Sequence, residues 1–492
     1  MTASLIPFAK NVAVFALSIS AGIFGYVLFS PAPSHSIQTG SPSALSSRSF
    51  GSGLVAFFSR DDKSGWDDQL PSFPDEPVFI TKLNDPVDLG RDAAGVSYFL
   101  ERGGRVMRLG VNTEGNRKLN CFAKLETKNS LNSTSFSAIA FHPEFLSTGD
   151  KGYGRFYVVA SEKAGSGKPD FYPAYVNRGT EHHQDVLYEY QTANPFSPAF
   201  LGKRREILRL SQPGPEDNFT SLAFDSRGFL YLGVGDGAES TSRHPDISKN
   251  ASSLLSVYGK ILRIDPLGRD STNGQYGIPL SNPFRLVADA LPELWAYGLR
   301  APHSLSIDPF NEWLFISEEG QSGTAELNVS RFGAEHFGWD LLGGGSHIFT
   351  KLLVGSDSVL TPPEIQFAAP SGKAGTGQPD EIPCTGGFVY SGEHFPSLVG
   401  KMIFGDHRGR IMAAPVKADD HSAVRKDSID LLADEGFFQG KEINALRPGP
   451  LGEIFVLCKG GEVFEIGKGA TAAIPRKSRR PLICSVSLFP IW

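Results

Sequence analysis

From about Val78 to Ile466 the chain repeats one pattern. A turn leads into a short run of apolar and aromatic residues, which closes on Gly or charged side chains. The clearest runs are Gly95–Leu100, Arg155–Val159, Gly228–Gly233, Glu312–Ile316, Lys401–Phe404 and Glu453–Leu457. Each can present one face to a core at period two, which predicts a β-strand rather than a helix. The runs recur roughly every 50 to 90 residues, against ~40–50 in compact propeller repeats, so long loops are expected between them. Six such units predict an all-β chain, a six-bladed β-propeller of about four strands per blade. Radial repetition leaves only short sheet edges exposed. Two β-sandwiches on a linker would need a boundary rich in Pro, Ser and Gly, and the middle of the chain has none.

Composition agrees with strands. The 492 residues include 54 Gly and 34 Pro as turn formers, 36 Phe, and only 4 Met. Aromatic side chains suit pleated, half-buried surfaces. A net charge of −6 excludes a nucleic-acid partner, which needs a concentrated basic surface to displace counterions. Cys121, Cys384, Cys458 and Cys484 are widely spaced and form no CxxC pair, so a thiolate metal site is not expected; one pair could oxidise in an exported domain, or all could stay free.

The N-terminus carries a different signal. Asn11 to Ser30 is uncharged and follows Lys10. About 20 apolar residues in a helix can cross a bilayer. The preceding cation favours a cytosolic N-terminus and export of the rest. Residues 1–35 therefore read as a signal peptide or a membrane anchor, the anchor ahead because no small-x-small cleavage site follows. The expected organisation continues with a linker over 36–75, the propeller over 76–467, and a basic, apolar-ended tail over 468–492 expected to be disordered. The expected location is periplasmic or extracellular, secreted or anchored. Sequence alone leaves the oligomeric state open. Asn132, Asn218, Asn250 and Asn328 head glycosylation tripeptides, which matter only in a eukaryotic secretory pathway.

Several strings, in order, resemble the glucose/sorbosone dehydrogenase family. They are Ala140–Phe145 with Gly154–Val158, Leu222–Gly237, Gly259–Pro266, Ile278–Phe284, Glu293–Arg300, Glu326–Asn328, Phe337–Trp339, and Thr385–Tyr390 with Phe404–Asp406. The likeness covers most of residues 80 to 466. It implies a six-bladed propeller holding pyrroloquinoline quinone (PQQ) beside Ca²⁺, with a sugar or related alcohol as small-molecule substrate. The implied reaction passes hydride to the quinone while a histidine takes the hydroxyl proton.

Carried over residue by residue, the match is uneven. The histidine slot ahead of the third-blade string reads Pro215–Leu222, where, depending on the gap, Asp217, Asn218 or Phe219 stands instead of a histidine. Asn218 cannot act as a base, and Asp217 would need burial to raise its pKa. Arg300, in Gly298–His303, matches a cofactor-clamping arginine, with His303 a partial replacement for a missing polar partner; fastening two blade loops together is the structural alternative for Arg300. Backbone carbonyls of Gly320 and Gln321 match ligands of the quinone's calcium, and Glu318, Glu319 and Glu326 add hard oxygens nearby. A solvated acidic loop is the plain alternative. The expected glutamine falls near Ser133, and the late arginine pair falls near Gln439–Ile443, where Lys441 replaces one charge. His142, in a Phe-His-Pro turn, reads as structural, and His182–His183–Gln184–Asp185 as a polar cluster. Two functions follow: a PQQ-dependent sugar or alcohol oxidoreductase, or a catalytically degenerate propeller that binds carbohydrate or protein.

Overall fold

The computed structural model describes residues 73, 77–111, 117–126, 135–173, 181–215, 219–237, 250–319, 325–339, 360–367, 384–406, 408–416, 429–434, 436–450 and 452–467. The N-terminal apolar run and the basic tail lie outside them. Among the described residues no helix is long and apolar enough to cross a membrane.

The described strands form six antiparallel four-stranded sheets. Blade 1 is β2 (Pro86–Arg91), β3 (Ser97–Glu101), β4 (Arg105–Val111) and β5 (Arg117–Lys124). Blade 2 is β6 (Ser135–Phe141), β7 (Arg155–Lys163), β8 (His183–Thr192) and β9 (Gly202–Gln212). Blade 3 is β10 (Phe219–Phe224), β11 (Leu230–Val234), β12 (Lys260–Ile264) and β13 (Leu294–Tyr297). Blade 4 is β14 (Ala301–Ile307), β15 (Leu314–Glu319), β16 (Ala325–Ser330) and β17 (Ile365–Phe367). Blade 5 is β18 (Cys384–Val389), β19 (Lys401–Asp406), β20 (Ile411–Pro415) and β21 (Asp430–Ala433). Blade 6 is β22 (Ile443–Pro448), β23 (Ile454–Cys458), β24 (Glu462–Ile466) and, from the other end of the chain, β1 (Val78–Lys82). The predicted six-bladed propeller is what forms.

The six apolar runs are the second strands of the six blades: β3, β7, β11, β15, β19 and β23. They were expected to bury one face, and they bury both. In β15, Leu314 and Ile316 pack toward blade 3 while Phe315 packs toward blade 5. In β3, Tyr98 and Leu100 join the blade 2 core and Phe99 the blade 6 core. A blade is sandwiched between two neighbours, so alternate side chains enter two different cores and the run must be apolar throughout. Each fully buried Leu or Phe contributes about 1.5–3 kcal/mol.

Inner strands are laced to the next blade near their first residues. Ser137 Oγ donates to the Phe219 carbonyl at 3.2 Å, Ser221 Oγ to that of Pro302 at 2.8 Å, and Asn444 Nδ2 to that of Pro86 at 3.1 Å. The ring closes twice, by β1 on β24 and by Arg117 of blade 1. That guanidinium reaches Glu453 at 2.9 Å and Glu465 at 2.5 Å in blade 6.

Two carboxylates share one arginine there, and the balance is pH-sensitive. Burial pushes Glu465 up to about 7; Arg117 pulls it down and Glu453 pushes it further up. The folded state then keeps a proton that the unfolded chain has lost. Its stabilisation is complete below the ordinary carboxylate pKa and is lost as pH rises through about 7. At ~1.4 kcal/mol per pKa unit, the protein should lose about 2–3 kcal/mol more between pH 5 and 8 than Glu465→Gln does. Urea midpoints across that range test this; parallel curves for the two proteins would refute it.

Cys121 is exposed and Cys458 buried, both free, and burial pushes the Cys458 thiol up to about 12. His142 is a turn residue as expected: it is buried, and its Nδ1 accepts the Glu144 N–H at 3.1 Å. Asn250 and Asn328 are buried, so neither can accept a glycan in the folded chain.

Candidate functional site

The six inner strands, β2, β6, β10, β14, β18 and β22, all begin at one mouth of the central channel. Each slips register there by one residue against its neighbour. The extra residues are Val87, Ser137, Thr220, His303 and Asn444, with the slip in blade 5 spread over Thr385 and Gly386. A bulge re-aims side chains and ends regular pairing, and bulges gather beside functional sites. His303 is thus one member of a sixfold feature. It is half-buried, with Nδ1 3.4 Å from the Ala301 carbonyl of its own strand.

Arg300 directly precedes β14 and is buried, its Cζ 5.6 Å from the centre of the Trp339 ring. Its backbone N–H donates to Glu318 Oε1, and its carbonyl accepts the Asp236 N–H at 2.8 Å. Glu318 is buried at the end of β15, in register with Pro302 on one side and Glu326 on the other. Asn328 Nδ2 donates to Glu318 Oε2 at 3.0 Å. Trp339 Nε1 donates to Asp236 Oδ2 at 2.8 Å. Burial drives Glu318 far above the usual carboxylate range; Glu326 and Asp236 add to that, and the Arg300 contacts oppose it. Burial and the two neighbouring acids thus disfavour the charged form of Glu318.

The fold brings Arg300 and Glu326 together around Glu318. Asp217, Asn218, Gly320 and Gln321 lie outside the described residues. Lys441, expected to replace one charge of the clamp, is instead paired with Glu462 at 3.0 Å. Asp236 and Trp339 were missed as site residues. Both stood in family-like strings, Leu222–Gly237 and Phe337–Trp339, that carried information about fold only.

A second group stands beside the empty histidine slot. Asp185 on β8 is fully buried; its Oδ1 accepts the Ser161 hydroxyl at 2.6 Å. Its Oδ2 accepts from Gln212 at 2.8 Å and from the backbone N–H of Phe219, within the slot, at 3.1 Å. His183 Nε2 lies 3.4 Å from Asp185 Oδ1, and its Nδ1 meets Nδ1 of exposed His182 at 3.0 Å. A carboxylate, a half-buried imidazole and an exposed imidazole thus run in series toward solvent.

The charge around Arg300 weighs against the carboxylate-bearing quinone that the resemblance implies. Around Arg300 stand Asp236, Glu318 and Glu326, and repulsion from the other two already pushes the Glu318 pKa up. A cofactor carrying carboxylates would add negative charge where three carboxyl groups already gather around one arginine. Gly320 and Gln321, whose carbonyls the resemblance assigns to calcium, lie outside the described residues; among the described residues no group of three or more His, Cys, Asp or Glu could hold a metal ion.

The profile of the family described as "Glucose / Sorbosone dehydrogenase" matches residues 139–463. The chain belongs to that family. Among curated relatives it is 29% identical to the HIPL2 protein of Arabidopsis thaliana over 50% of this chain and 37% of that protein. It is 26% identical to the aldose sugar dehydrogenase YliI of Escherichia coli over 50% of this chain and 58% of that protein. The alignments thus span about half the length of these relatives. A solved structure of the PQQ-bound form of aldose sugar dehydrogenase from Streptomyces coelicolor superposes with a TM-score of 0.52 at 18% identity, covering 80% of this chain and 97% of that one. At that identity the likeness shows the shared propeller. The glucose/sorbosone dehydrogenase scaffold is therefore present.

Proposed function

We propose that this chain binds a sugar or related alcohol at the mouth where its inner strands begin, on a dehydrogenase scaffold whose redox site has been remodelled. The observation that carries this is the cluster of Trp339, Asp236, Glu318 and Glu326 around Arg300. Carboxylates accept hydrogen bonds from sugar hydroxyls, a guanidinium donates them, and an indole plane packs on the apolar C–H face of a pyranose. A set that combines carboxylates, a guanidinium and an indole matches a polyhydroxylated ligand.

Titrating aldoses and polyols while following tryptophan emission and heat tests this reading. An aldose should bind, and Trp339→Ala or Asp236→Asn should weaken it at least tenfold. PQQ with Ca²⁺ should leave no retained quinone after desalting. Quinone that is retained and bleached by an aldose would sink the proposal.

The second reading is a PQQ- and Ca²⁺-dependent oxidoreductase of sugars or alcohols, with Arg300 and His303 toward the quinone and Gly320, Gln321 and Glu326 toward calcium. The His183–Asp185 pair beside Phe219 favours it, because it offers a base next to the slot that lacks one. Sugar-dependent bleaching lost in His183→Ala is its signature. Either site is read as exported, periplasmic or extracellular, with residues 1–35 as signal or anchor.

A further inference from the structure

The opposite mouth of the channel, where the inner strands end, holds a cavity of about 260 Å³ lined from all six blades. Its walls include Phe141, Phe224 and Phe388, with Arg91, Arg447 and Ser306 as polar members. Arg447 is already neutralised: its Nη2 pairs with Asp88 at 2.8 Å, and its Nη1 donates to Ser304 at 3.3 Å and to its neighbour's carbonyl at 3.0 Å. Asp88 is equally committed, since it also accepts the N–H groups of Leu89 and Ile139.

Arg91 differs. It is exposed to the channel and commits one donor, Nη1 to the Gly449 carbonyl at 2.9 Å. Among the described residues no carboxylate lies within ion-pair reach of it. The two acids that influence it most are engaged elsewhere: Glu453 with Arg117 at 2.9 Å, and Asp92 with Tyr98 and the backbone N–H groups of Ala94 and Val96. Although its side chain reaches the channel, the surrounding protein partly desolvates the Arg91 guanidinium and pulls it below its ordinary pKa, and those two acids only partly offset this. Ser306 Oγ, also on the wall, is buried without a hydrogen-bond partner.

We propose that this mouth is a second ligand site, independent of the sugar face, that takes a small monocarboxylate with an apolar or aromatic body. The unpaired guanidinium fork matches a carboxylate. The phenylalanine rings receive the body of the ligand. The volume is small beside the ~300–1,000 Å³ of pockets for drug-sized ligands, which limits the occupant to about one ring.

Benzoate is the probe, with benzyl alcohol as its uncharged counterpart, measured by calorimetry and by ligand-observed NMR on the whole chain. Benzoate should bind at least tenfold more tightly than benzyl alcohol and should weaken as salt rises. Arg91→Gln should abolish that preference, and Ser306→Leu, which fills the cavity while keeping the charge, should weaken both probes. Trp339→Ala should leave benzoate binding unchanged, which separates this site from the sugar face. Circular dichroism confirms that each variant is folded. Equal binding of the two probes to the unaltered protein, or benzoate binding unchanged in both folded Arg91→Gln and Ser306→Leu, would overturn the proposal. A sugar that fails to bind the other face would leave it standing.

Discussion

Arg209→Ala should lower stability by about 3–5 kcal/mol, with a larger loss at pH 8 than at pH 5. Arg209 is fully buried in blade 2. Its Nη1 donates to Glu162 at 3.0 Å, to Gln184 at 2.8 Å and to Ser166 at 2.7 Å, and its Nε and Nη2 both reach Glu206 at 2.8 Å. Burial works to raise the pKa of Glu162. Tyr188, Ser166 and Arg209 more than reverse this, so its carboxyl sits below the usual range. Removing the guanidinium leaves a buried carboxylate without its counterion. Glu162 then takes up a proton in the folded variant, its pKa rises above the unfolded value, and stability falls as pH rises through that new pKa. Urea unfolding at the two pH values measures this. Adding Glu162→Gln to Arg209→Met should recover most of the loss, because the orphaned charge is gone. A variant as stable as the parent at pH 8 would show that the network contributes nothing net. The consequence reaches the candidate site, since Gln184 lies between His183 and Asp185, and Arg209 holds its side chain.

The second large effect concerns backbone. Gly154→Ala should cost about 3 kcal/mol or more. Gly154 has φ +70°, and an added Cβ would lie 2.0 Å from the Thr192 carbonyl oxygen. The left-handed region costs a residue with a Cβ about 1–2 kcal/mol. Displacing the main chain at Thr192 adds about 1–3 kcal/mol, because the two residues' hydrogen bonds hold that hairpin end together: Gly154 N–H to the Phe145 carbonyl at 2.9 Å, and Thr192 N–H to the Gly154 carbonyl at 2.9 Å. Gly149 is the control. It has φ +94°, but a Cβ added there would meet nothing within 4 Å, so Gly149→Ala should show the strain alone. Thermal and urea denaturation of the pair separate overlap from strain; equal losses in the two variants would refute the overlap.

The second strand of every blade was legible because burial on both faces forces an uninterrupted apolar run. The inner strands were harder to see. β2 reads Pro-Val-Asp-Leu-Gly-Arg and β18 Cys-Thr-Gly-Gly-Phe-Val, where bulges and interblade hydrogen bonds favour small and polar residues over period-two alternation. At the site, Arg300 and Glu326 were found through strings that resemble a family. Their surroundings were not, because Asp236 and Trp339 stand 103 residues apart and meet only when blades 3 and 4 assemble.

The sequence by itself determined the sheet content, the number of blades and the family, because these follow from local apolar runs and ordered strings. Tertiary structure alone decided the charge balance at the two mouths. How strongly Glu318 resists ionisation, and whether Arg91 meets a carboxylate, depends on which groups from distant blades converge within a few ångströms. Coulomb interaction and desolvation act through that distance, and position along the chain does not encode it.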